Sequence, residues 1–133
     1  MAFDKYVWEF FKNLNGITPK KMFPLSKVSN AVDADATVTA GQLMRGYYEK
    51  TGCTAGRNLT LDTVPNIQAV FTAQAGRYFR WLFMNSSGQI ITLVAPANMT
   101  LNGLLAVPDT KCAIVYLGNG ATGLMEGVVS LSA

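Results

Sequence analysis

Residues 77–84, Arg-Tyr-Phe-Arg-Trp-Leu-Phe-Met, constrain the fold more than any other stretch of this chain. Read as an extended strand, its odd positions carry Phe79, Trp81 and Phe83, and its even positions carry Tyr78, Leu82 and Met84. A strand that exposes one face to water alternates apolar with polar residues. This one is apolar on both faces. One face fills a core and the other requires a neighbour, for which a second subunit is the economical expectation. Tyr78, Phe79, Trp81 and Phe83 are therefore the candidate residues of an oligomer interface.

The rest of the chain from Thr37 onward has the same texture. Candidate strands are Arg45–Lys50, Asn58–Leu61, Arg77–Asn85, Gln89–Ala95, Met99–Leu101, Lys111–Leu117 and Leu124–Leu131, separated by Gly, Asn, Pro and Asp turn signals. Two short helices interrupt them. One spans Ala40–Met44; the other spans Val64–Ala73, with Thr63 as cap and Pro65 in the first turn. Many short strands at this spacing predict a mainly β body, an antiparallel β-sandwich or jelly-roll-like fold over 37–133.

Residues 1–36 differ. Phe3, Tyr6, Val7, Phe10, Phe11 and Leu14 recur at helical spacing and predict one short amphipathic helix, ended by Gly16 and Pro19. Thr18-Pro19 and Phe23-Pro24 then favour an extended arm. Five lysines against two acids give residues 1–30 a net charge of +3, while six basic and six acidic residues leave the remainder neutral. The stripe Phe3, Tyr6, Phe10, Phe11 and Leu14 is the candidate partner-binding arm. A protein partner suits it better than nucleic acid, because it holds no arginine, and better than a membrane interface.

Chemistry finds little support. The chain lacks histidine, so the commonest general base and metal ligand are missing. Two cysteines cannot close a zinc site within one chain. They are expected as free thiols, Cys112 within the core. Asp33 and Asp35 form a D-x-D pair that reads as a solvated linker. Gly118-Asn119-Gly120-Ala121-Thr122-Gly123 has the letters of a dinucleotide fingerprint, but a dinucleotide site needs a following helix and an acidic residue some way on. A turn between strands is the expectation. No enzyme activity, cofactor or small-molecule substrate is expected. Phe3–Leu14 is interrupted by charges and is not a signal peptide, and no segment is apolar for long enough to span a membrane. Only 14% of residues are charged, against roughly 25% in average domains, so either much of this surface is covered by other chains or the protein is poorly soluble alone.

Several short motifs add a resemblance. They are Thr39-Ala40-Gly41-Gln42-Leu43-Met44-Arg45-Gly46, then Arg57 with Asp62-Thr63-Val64-Pro65. Phe83-Met84-Asn85-Ser86-Ser87 follows, leading into Gln89-Ile90-Ile91-Thr92-Leu93, and last comes Met99-Thr100-Leu101-Asn102-Gly103. In this order they resemble the small β-rich decoration or cement proteins of tailed-phage capsids. That resemblance implies a virion structural protein, assembled in the host cytoplasm, trimeric, and bound to the major capsid protein. The competing reading is a receptor- or glycan-binding module of a head fibre or tail.

Overall fold

The computed structural model describes residues 26–71, 78–119 and 123–132. The helical stripe Phe3, Tyr6, Phe10, Phe11 and Leu14 lies outside them. The described residues form β1 (Ser26–Asn30), β2 (Ala36–Val38), α1 (Ala40–Met44), β3 (Gly46–Thr51), β4 (Arg57–Leu61) and α2 (Val64–Val70), followed by β5 (Tyr78–Ser86), β6 (Ile91–Val94), β7 (Met99–Gly103), β8 (Ala106–Val107), β9 (Cys112–Asn119) and β10 (Met125–Leu131). The protein is mainly β, in two sheets. One has the order β1-β3-β5-β9-β10-β7 and the other β2-β4-β6-β8.

Local chemistry starts both helices where the sequence places them. The Thr39 hydroxyl accepts the Gln42 N–H, and the Gln42 side chain in turn accepts the Thr39 N–H, closing a capping box on α1. Thr63 caps α2, and Pro65 occupies its first turn. Helices of five and seven residues are too short to persist alone. They are held because Ala40, Leu43, Val64 and Ile67 are buried and because the helices pack on each other.

The strand directions depart from expectation. From β1 to β9 every connection crosses from one sheet to the other. Two crossings bring the chain back to the first sheet running in its original direction, so β1 pairs with β3, β3 with β5, β2 with β4 and β4 with β6, all in parallel. Parallel neighbours need a crossover segment, usually a helix; here a strand of the opposite sheet serves. Antiparallel pairing is confined to β5–β9, β9–β10 and β6–β8. The expectation of an antiparallel, jelly-roll-like body is therefore corrected to mixed sheets wound by a chain that alternates between them. Alternating hydrophobicity reports which face is buried, and it is blind to the direction of the neighbour.

One buried cluster draws on both sheets and both helices. The larger sheet contributes Val28, Tyr48, Trp81, Phe83, Met99, Leu101, Ala113, Val115, Leu117, Met125 and Val129; the smaller contributes Val38, Leu59, Leu61, Ile91, Leu93 and Val107. The rings of Trp81 and Phe83 stack with centroids 6.0 Å apart, and Tyr48 tilts against both. The boundary drawn at residue 36 also moves. Residues 26–30 pair with β3 along their whole length, and residues 36–38 pair with β4, so the region from Ser26 belongs to the body. Lys50 fastens the end of β1: its buried Nζ donates to Asn30 Oδ1 at 3.1 Å and to the Val32 carbonyl.

Candidate interaction surface

On β5 the odd residues point inward. Trp81 and Phe83 are fully buried, and Phe79 packs at the rim of the core, edge-on to Phe71 at 4.3 Å. Three of the four residues expected at an oligomer interface are thus occupied within their own chain, and only Tyr78 is exposed. The free face is the even one. In register it places Tyr47 beside Leu82 beside Ile114, Met84 beside Cys112, and Arg80 beside Tyr116 beside Val128. Tyr78 is 47% exposed, Tyr116 42% and Val128 51%, values that belong to side chains awaiting cover. Leu82, Met84 and Ile114 are half-buried between them. A solvated sheet face would carry polar residues at these places.

Polar groups frame the patch. Tyr78, Gly118 and Glu126 are neighbours across β5, β9 and β10. Because Gly118 has no side chain, the Tyr78 hydroxyl crosses above it and donates to Glu126 Oε1 at 2.6 Å. That bond to the carboxylate, with burial second, raises the Tyr78 pKa above the ordinary tyrosine value. At the opposite side Lys27 Nζ lies 3.0 Å from Glu49 Oε1, and the Ser86 hydroxyl donates to Glu49 Oε2 at 3.0 Å. These bonds hold the Glu49 carboxyl below its usual range and raise Lys27. Arg80 is exposed and has no hydrogen-bond or ionic partner among the described residues.

The other sequence candidates are absorbed into structure. Asp33 accepts from the Thr54 amide and hydroxyl and pairs with Arg57 at 2.9 Å; the Thr54 bonds, with Arg57, lower its pKa. Asp35 accepts the Asn58 N–H at 2.9 Å. The D-x-D pair therefore tethers the β1–β2 connection to β4 rather than lying free. Gly118 and Asn119 end β9 and Gly123 precedes β10, its antiparallel partner, so the element after the glycine run is a strand and not the helix of a dinucleotide site; residues 120–122 lie outside the described residues. Cys53 and Cys112 are free thiols. The buried one is Cys53; Cys112 is half-buried beside Met84, and burial pushes its thiol pKa up, away from reactivity.

Sequence reasoning missed Leu82, Met84, Ile114, Tyr116 and Val128 as the surface. The signal was available: Arg80 lies at an even position, and an arginine turns its own face toward water. Among the described residues no group of three His, Cys, Asp or Glu could hold a metal ion, and no helix is long and apolar enough to cross a membrane. No family model, curated protein or solved structure matches this chain.

Proposed function

We propose that this chain is a capsid decoration or cement protein of a tailed phage, a virion component whose two sheets form a sandwich-like body and which stabilises the shell as an oligomer, a trimer in the family it resembles. The observation that carries the reading is the apolar outward face of the larger sheet on a body whose acidic pairs are spent on internal ties. Such a body is built to be covered by protein. The low charge of the whole chain supports the same conclusion. The basic, aromatic segment before β1 would dock on the major capsid protein. A ligand that binds only the assembled shell stabilises that shell by mass action, and linking several docking segments raises their effective concentration. Co-sedimentation of the purified protein with mature shells lacking it tests the reading: saturable binding and a raised shell disruption temperature are expected. Absence of binding to shells, together with binding to host envelope glycans, would replace it with the receptor-binding alternative.

A further inference from the structure

We propose that the outward face of the six-stranded sheet is the contact between copies of this chain, arranged in a ring about an axis running along β9. The inference rests on the decoration reading and deepens it by naming the surface that joins the subunits. Apolar residues occupy the centre of the face: Ile114 and Tyr116 on β9, Leu82 on β5 and Val128 on β10. Opposite charges stand on the two flanks. Among the described residues, Arg80 on β5 has no partner, and the partner of Glu126 on β10 is the uncharged Tyr78 hydroxyl.

The direction of the axis follows from those charges. An axis along β9 sets the β5 half of one copy against the β10 half of the next. Arg80 then faces Val128 of the next copy, with Glu126 one diagonal step away, within reach of so long a side chain. An axis across the strands sets β5 against β5, and brings Arg80 beside Arg80 and Glu126 beside Glu126. Like charges at a desolvated contact are strongly disfavoured. The face is complementary to itself in one rotation sense, which a surface meant only for a foreign partner has no reason to be.

The test is light scattering and sedimentation velocity on the full chain in the absence of shells. The wild-type protein is expected to be a discrete oligomer. Ile114→Asp, Arg80→Glu and Glu126→Arg should each raise the dissociation midpoint at least about tenfold, while the double variant Arg80→Glu with Glu126→Arg returns toward the wild type. All three positions face outward, so circular dichroism should be unchanged; if Ile114→Asp fails to fold, the charge reversals decide. A wild-type monomer at the highest soluble concentration overturns the proposal, as does a double variant no better than the worse single one. An oligomer that binds no shell would leave this contact standing and remove the decoration reading; a shell-binding monomer would do the reverse.

Discussion

Asp62 shows how much one side chain can organise. Its Oδ2 accepts the Ala40 N–H of α1 at 2.8 Å, and its Oδ1 accepts the Thr63 N–H at 2.7 Å and the Asn66 side chain at 2.9 Å. One carboxylate thus ties the starts of two helices that cannot stand alone, and the Asn66 bond leads the effects that lower its pKa. Its folded pKa lies below the unfolded value of about 4, so its contribution is present above that pH and is lost as pH falls through the folded pKa. Asp62→Asn should destabilise the protein by about 1–2 kcal/mol at neutral pH and flatten the acid limb of a urea-midpoint titration. Trp81 poses a different balance. Its indole N–H is buried with no hydrogen-bond partner among the described residues. An unmet buried donor costs about 1–3 kcal/mol, so Trp81→Phe regains part of what the smaller ring loses in contacts. It should cost under about 1.5 kcal/mol, whereas Trp81→Ala should cost about 3–5. A Trp81→Phe loss well above that bound in chemical denaturation would show that the N–H has a partner.

Among the elements, the join between β7 and β10 is the least forgiving. Gly103 ends β7 with φ +108°, and a Cβ there would run into the backbone of Val129, its register partner. Gly88 also has a positive φ, +84°, but open space around it. Gly88→Ala should therefore cost only the conformational strain, about 1–2 kcal/mol. Gly103→Ala should cost about 3 kcal/mol or more, since overpacking adds to strain. Matched urea midpoints for the two variants would refute the close approach.

Legibility in the sequence also divides at this scale. The strands β3 to β7, β9 and β10 and both helix starts are readable because each strand buries two or more residues at alternate positions and each helix carries a cap. The strands β1, β2 and β8 are not, because each places one residue in the core, Val28, Val38 and Val107, too few to make a pattern. Nor does any local signal set strand direction, since parallel and antiparallel neighbours bury the same alternate residues. The interaction surface was half-legible: the two apolar faces of β5 are visible in its letters, but assigning them needed Arg80 to be weighed.

For the molecule as a whole, the pairing of β1 with β3 alters what a truncation does. On the decoration reading, removing residues 1–25 should abolish firm shell binding. Removing residues 1–30 also strips β1 and with it Val28 from the core and the partner of Lys50, and should lower the thermal midpoint of the body clearly. On the same reading, replacing Phe10 and Phe11 by alanine in the segment before β1 should weaken shell binding more than neutralising Lys20 and Lys21. Burial of an aromatic contributes roughly 1.5–3 kcal/mol, against about 0–1 for an exposed ion pair. Lys27 is no part of that comparison, since it is engaged with Glu49. Binding that collapses with salt and survives the aromatic changes would instead mark an electrostatic tether.

The winding of the chain between its sheets also dictates an order of assembly during synthesis. The strands β1, β3 and β5 can zip together as they leave the ribosome, each laid beside the one before. The other part of the larger sheet, β7 with β10, has no bond to them except through β9. Until β9 arrives, the hydrogen-bonding edge of β5 stays open along most of a nine-residue strand whose inward face carries Trp81 and Phe83. The nascent chain thus carries its greatest aggregation hazard in the interval between residues 86 and 112, and its last two strands act as the keystone that closes the sheet.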